Sequence, residues 1–318
     1  MTTKTQAMKD TSNREIKISR ILNAPRELVW DVWTDPKHID KWWGPIGFTT
    51  ETHEMKVQEG SKWLCTMHGP KGMDFPNEIT YTEVSKPERL MYTHTEPKFD
   101  CTVTFEKFAG KTKLTMSMVF ESVDVYNYVV KEHGAIEGQA QTFTRLEEHL
   151  AKLQKGKEFT VSKEFNAPRN LVYKVFTEAE HLAKWWGPPG APITVSRFDF
   201  SPGGMFLYSA KSPMGEMWGR FVYCEMTEPE RVVFINSFSD KDGGITPNPF
   251  MPSWPLEILN VVTLTEKNGK TTMAMRGGPI NSTEEQLQVF NNMHGMMQQG
   301  FAGTFMQLDE YLKKIQRA

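Results

Sequence analysis

EIKISRILNAPRELVWDVWTDPKHIDKWWGP, residues 15–45, returns as EFTVSKEFNAPRNLVYKVFTEAEHLAKWWGP, residues 158–188, in one register and without a gap, at an offset of 143. The islands NAPR, LV, a single His and KWWGP coincide. The match resumes in TEVSKPERL (82–90) against CEMTEPERV (224–232), and in VTFEKFAGKT (103–112) against VTLTEKNGKT (262–271). It closes with GQAQTFTRLEEHL from Gly138 against GFAGTFMQLDEYL from Gly300. The offset grows only between these blocks, so the copies differ by loop insertions. The largest is SDKDGGITPNPFMPSWP, whose Gly and Pro residues mark a loop. A unit this long is a whole domain rather than a solenoid repeat. The expected organisation is a polar tail over 1–13, a first domain over 14–154, and a second over 157–318 with an inserted loop near 238–255.

Within a copy, Ile16, Ile18 and Leu22, or Phe159, Val161 and Phe165, give the partial alternation of a half-exposed first strand. Pro25 and Pro168 can then open a short helix. Asp35-Pro36 begins another, ending near Trp42–Pro45. Segments 75–84, 88–94, 100–108 and 111–120 read as successive antiparallel strands, with FAGKT and KNGKT as hairpin turns. A long closing helix is predicted in each copy. Its stripe is Val129, His133, Ile136, Ala140, Phe143, Leu146 and Leu150 in the first, and Met293, Met297, Phe301, Thr304, Leu308 and Leu312 in the second. Ser282 and Glu285 have capping-box spacing ahead of the latter. The fold class is therefore α+β, a curved antiparallel sheet under a long helix, twice.

Length, a 39% hydrophobic and 24% charged composition, and a net charge of -2 describe two ordinary globular domains. That charge gives no broad attraction for nucleic acid or an anionic membrane. No apolar run approaches the roughly eighteen residues needed to span a bilayer. The first residues lack an apolar h-region, and Cys65, Cys101 and Cys224 form neither a zinc spacing nor a disulfide framework. A cytoplasmic location without membrane insertion is expected.

NAPRELV and NAPRNLV, KWWGP twice, KPERL and EPERV, and the two closing G-x-x-x-T-F-x-x-L-x-x-x-L helices resemble the START-like (SRPBCC, Bet v 1-like) superfamily. More narrowly, they resemble the branch related to the C-terminal domain of the activator of Hsp90 ATPase. The resemblance spans nearly the whole chain beyond its first dozen residues. It implies a helix-grip fold with an apolar cavity beneath the closing helix, and these motifs mark fold rather than chemistry.

No dinucleotide, P-loop, nucleophile-elbow or zincin signature is present, so no cofactor or metal is expected. His68, His94, His133 and His294 can line pockets but lack metal spacing. Glu78 and Glu257 can orient a polar ligand if they point inward. One tryptophan of each WW pair at most can lie over a cavity, since neighbours on a helix diverge. Methionine suits irregular apolar walls, and Met205, Met214 and Met217 with Phe206, Tyr208, Trp218, Trp186, Met297 and Phe301 rank the second copy as the likelier ligand site. In the first copy the candidates are Trp63, Met67, Tyr81, His133 and Phe143. The leading expectation is binding of a small hydrophobic or amphipathic molecule. The alternatives are a protein-interaction or chaperone-linked stress module, with Phe250, Met251 and Trp254 of the insertion as contacts, and a cyclase- or hydrolase-like enzyme acting on a hydrophobic substrate.

Overall fold

The computed structural model describes residues 10–154, 158–212 and 215–317, which fall into two compact units divided between Leu153 and Gln154. In the first, β1 (Glu15–Leu22) leads into α1 (Arg26–Thr34) and α2 (Pro36–Ile39). Six strands follow: β2 (Thr49–Met55), β3 (Lys62–His68), β4 (Asp74–Ser85), β5 (Arg89–His94), β6 (Phe99–Phe108) and β7 (Lys111–Phe120). Helices α3 (Val123–His133) and α4 (Ala135–Leu153) close the unit. The strands form one antiparallel sheet in the order β1-β7-β6-β5-β4-β3-β2. The first strand thus pairs with the last, and α1 and α2 carry the chain from one sheet edge to the other.

The second unit repeats this with β8 (Phe159–Phe165), α5 (Arg169–Thr177), α6 (Ala179–Trp185), β9 (Ile193–Phe198), β10 (Met205–Ser212), β11 (Gly215–Thr227), β12 (Arg231–Ser239), β13 (Ile258–Lys267), β14 (Lys270–Pro279), α7 (Glu284–Asn292) and α8 (His294–Ile315). Its strand order is β8-β14-β13-β12-β11-β10-β9. This is the α+β helix-grip architecture in tandem.

The repeated islands of sequence are the ties between layers. The buried Thr112 hydroxyl donates to the Ala24 carbonyl at 2.7 Å, and Thr271 does the same to Ala167 at 2.7 Å. The threonine of GKT therefore anchors the NAP turn. The Trp42 indole donates to the Val32 carbonyl, and Trp185 donates to Val175, fixing the second short helix on the first. From α4, Arg145 Nη1 reaches the carbonyls of Gly44 at 2.7 Å, Pro45 at 3.0 Å and Trp43 at 3.2 Å. Gln307 of α8 plays that part with Gly187 at 2.8 Å and Trp185 at 3.2 Å. A polar side chain on the closing helix thus satisfies carbonyls freed by the WWGP turn, where the chain leaves its helix.

The closing helix differs from the sequence expectation in being two helices in each unit. Gly134 caps α3 in the left-handed conformation at φ 57, and α4 starts afresh at Ala135. In the second unit the break is at Met293, whose N–H bonds the Phe290 carbonyl. The capping box is Thr283 with Gln286, one residue later than Ser282 and Glu285. The Glu285 carboxylate instead accepts from Ser253 of the long loop.

Candidate functional site

Register fixes which side chains face the helices. In the first unit Trp63 is paired with Ile79, Cys65 with Asn77 and Met67 with Phe75. Strand alternation puts these residues, with Tyr81, Tyr92 and His94, on the concave face. There the first unit encloses a cavity of about 200 Å³ between the sheet and α3–α4. Its walls are chiefly apolar, with Trp43, Met67, Ile79, Phe99, Met116 and Met118 among them, and Ala135, Gly138 and His133 stand where the helices cover it. Trp42 is buried and locks the turn, whereas Trp43 packs edge-on to Trp33 and Trp63 and faces the cavity.

The polar lining is Asn77, Tyr92, His94, Gln139 and Thr142, besides His133. His94 stacks on Phe99 with ring centroids 4.7 Å apart. Its Nδ1 lies 2.9 Å from the Pro97 carbonyl and its Nε2 lies 2.9 Å from Asn77 Oδ1. Asn77 Nδ2 donates to the Phe75 carbonyl at 2.7 Å. Both ends of this chain are carbonyl acceptors. An imidazolium satisfies every link, while a neutral ring has one N–H and leaves one link unmade; turning the Asn77 amide round only moves the mismatch to the Phe75 carbonyl. Burial works the other way and lowers the His94 pKa, against smaller upward pulls from the Pro97 hydrogen bond and the Glu96 charge.

The sequence candidates separate accordingly. Met67 and His133 line this cavity; His133 is exposed at its margin with its ring edge-on to Tyr128. Trp63 and Tyr81 are buried on the same face and pack on Trp43 and Tyr92. Phe143 sits in the core against Trp33. Burial pushes the Cys65 thiol up to about 12, with Asp40 adding to it, so it is a packed side chain and not an activated nucleophile. Glu78 faces outward and pairs with Lys62 at 2.7 Å, and Glu257 lies 4.0 Å from Arg220.

The second unit uses the same positions differently. Phe206 pairs with Phe221 where the first unit has Trp63 and Ile79, and Tyr208 pairs with Gly219 where it has Cys65 and Asn77. The Tyr208 ring stacks on Phe206 and spreads over the bare Gly219 backbone. A Cβ at 219 would stand 2.8 Å from the Tyr208 Cζ and Oη. Burial raises the Tyr208 pKa, opposed by a hydrogen bond with the Trp186 indole, which itself packs edge-on to Phe221. Phe301 stacks on Phe159, and Met297 packs against the same core. Met217 pairs with Ala210 on the concave side. Met205 and Trp218 alternate to the opposite face, where the Met205 sulfur lies under Gly243 of the long loop. Met214 lies outside the described residues.

In the long loop, Trp254 turns inward onto Phe290, leaving Phe250 as its exposed aromatic. Among the described residues, one group of metal-ligand type, Glu178, Glu180 and His181, comes together at the start of α6. Its His181 Nδ1 is already engaged by the Tyr311 hydroxyl at 2.6 Å. No described helix is long and apolar enough to cross a membrane.

Sequence reasoning named His94 among several histidines but did not single it out, and it passed over Asn77, Tyr92 and Gln139. The available signal was parity. Asn77 has the same strand phase as Ile79 and Tyr81, so it faces inward with them.

Solved structures similar to the chain match mostly one copy at a time. A protein from Arthrobacter aurescens is 23% identical, covering 45% of this chain and 90% of that one, with a TM-score of 0.43. One from Mycobacterium smegmatis is 29% identical over 49% of this chain and 90% of that one, with a TM-score of 0.41. A putative protein of the dynemicin biosynthetic locus covers 94% of this chain and 99% of its own, at 13% identity and a TM-score of 0.35. No curated protein matches. The family model described as activator of Hsp90 ATPase homolog 1-like protein matches twice, over residues 23–151 and 166–313. With both copies of the helix-grip unit matched in this way, the chain belongs to the activator of Hsp90 ATPase homolog 1-like family as a tandem pair.

Proposed function

We propose that the first unit binds a small, largely apolar molecule in the cavity beneath α3 and α4. The observation that carries this reading is the combination of an opening of about 200 Å³, walls of methionine and aromatic side chains, and a few inward polar groups. Ligand sites are built this way, with apolar area supplying the driving force and a few polar atoms fixing orientation. The test is native mass spectrometry of gently purified protein with organic extraction, beside the Ile79→Phe variant. That variant installs in the first unit the residue that the second carries as Phe221, and so fills the cavity with a side chain the fold already accepts. Near-stoichiometric bound organic mass in the wild type and its loss in Ile79→Phe support the reading. A clean apo mass, together with no uptake of added naphthalene, rejects it.

A second reading is favoured by His94. Its ring stands at the cavity wall, and for acid–base chemistry on a bound molecule Nε2 would exchange its Asn77 hydrogen bond for one to that molecule. His94→Gln would then retain binding and lose turnover of the molecule identified above. Unchanged turnover in that variant rejects the catalytic role and leaves the binding role standing.

A further inference from the structure

The floor and the cover of the first-unit cavity are held in different ways. The floor is sheet: Ile79, Tyr92, Met116, Met118 and Phe120 are buried, on strands fixed by ladder hydrogen bonds. One half of the cover, α4, buries Phe143, Leu146 and Leu150 and is tied down at several further points. Arg145 holds the WWGP carbonyls, Gln141 Oε1 accepts from the Ile46 N–H at 3.0 Å, and His149 Nε2 lies 3.0 Å from His38 Nδ1. The other half, α3, has no buried residue, although its Val129 and His133 stand over the cavity. Among the described residues, no hydrogen bond or ion pair joins one of its side chains to the sheet or to α4. Beyond half-buried apolar contacts, two features hold it. The Ser122 hydroxyl caps it by accepting from the Val125 N–H at 3.2 Å, and Tyr126 meets Phe120 edge-on with centroids 5.9 Å apart.

Gly134 joins the two halves. It lies in the left-handed region at φ 57, which glycine adopts without steric cost, and a Cβ there would meet nothing within 4 Å. Packing therefore does not hinder its torsions. The second unit is built otherwise at the same place. There α7 buries Phe290 completely, Trp254 of the long loop packs on that ring at 5.5 Å, and Ser253 donates to Glu285 at 2.8 Å. The junction with α8 is Met293, in the right-handed conformation. The loop that clamps α7 is the insertion that the first copy lacks. Local opening costs least where the fewest buried contacts must break, so α3 is the part of the first unit's cover that opens first.

We infer that α3 is the lid of the first-unit cavity, turning about Gly134 while α4 stays in place, and that ligand enters and leaves through the gap this makes. This gates the site proposed above and rests on that reading. Hydrogen exchange of the ligand-free full chain, read by mass spectrometry, should run about tenfold or more faster over 125–133 than over 139–150, and saturating naphthalene should slow it over 125–133. In stopped-flow mixing with naphthalene, Ser122→Ala should speed uptake and release alike by about fivefold, the worth of one N-cap, and leave the affinity within about twofold. Ser122→Asp keeps a cap and should retain wild-type rates. Thr283→Ala removes the corresponding cap of α7 and should change neither rate. Equal exchange in α3 and α4 overturns the lid whatever binds. So do naphthalene rates that Ser122→Ala leaves unchanged, or that Thr283→Ala raises as much. Failure of naphthalene to bind the wild type would instead remove the cavity reading itself, and the lid with it.

Discussion

Arg145→Met separates the stem of this side chain from its head, and the structure sets the size of the effect. Nη1 has two hydrogens for three carbonyls, so the Gly44 and Pro45 bonds at 2.7 and 3.0 Å take them and the 3.2 Å approach to Trp43 shares. The Nη2 contact with Lys41 at 3.3 Å is long. Two good charge-assisted bonds would each contribute about 1.5–3 kcal/mol if fully desolvated. Arg145 is only half-buried, and water replaces part of what is lost, so about 2 kcal/mol is expected in all. For a unit of this size that is a fall of roughly 4–8 °C in its melting temperature. Gln307→Met removes two bonds from a neutral amide, at 2.8 and 3.2 Å, and should cost the second unit about 1 kcal/mol. Hydrogen exchange read by mass spectrometry over 41–48 with α4, and over 185–191 with α8, follows each unit separately. Arg145→Lys, with a point-like ammonium, should recover less than half of the loss. The reasoning fails if Arg145→Met leaves exchange in the first unit unchanged, or if Gln307→Met proves the more damaging of the two.

Thr112→Val and Thr271→Val keep shape but strand the Ala24 and Ala167 carbonyls in the core, and each should destabilise its unit by about 1–2 kcal/mol in urea titration. Thr112→Ser should retain most of the stability, and a serine variant as weak as the valine one would show that the methyl group rather than the hydroxyl matters. His94 has a pKa below its ordinary value of 6.5 because burial disfavours the cation. Its contribution to stability is therefore intact above 6.5 and is lost as pH falls through the lowered folded value. Imidazole resonances should titrate below 6.5 for His94 and His149 and above it for His68, which is exposed and held by Asp74 first and Glu51 second. His94→Gln should flatten the acid side of the stability profile, and an unchanged slope would assign that loss to other groups.

The tandem arrangement of sheets was legible because its signals are local: strand phase, GKT and KNG turns, and the NAP and WWGP islands. What those islands bind was not, because Thr112 and Ala24, or Arg145 and Gly44, meet only after the sheet closes. The helix breaks illustrate a nearer miss. Gly134 after Lys131 and His133 is a helix stop in sequence terms, but the apolar stripe continues through it and masks it. Ser282 and Thr283 each have an acid or amide three residues on, so spacing alone does not choose between them. Met205 and Trp218 were grouped with Phe206 and Met217 as one wall, although adjacent strand residues face opposite ways.

The Tyr208–Gly219 pair carries a consequence for the history of the duplication. From an ancestor with the Cys and Asn of the first unit at these positions, two substitutions are needed, and their order matters. Tyrosine first would drive its ring into a Cβ only 2.8 Å away, whereas glycine first passes through a merely weakened strand. The same one-way gate recurs at Asn260 and Gly277, where a Cβ would meet the amide oxygen at 2.7 Å and the first unit has Cys101 and Met118. From such an ancestor, divergence of the two interiors would run through glycine intermediates, and returning the second interior to the first one's pattern requires the large side chain to go before the small one grows.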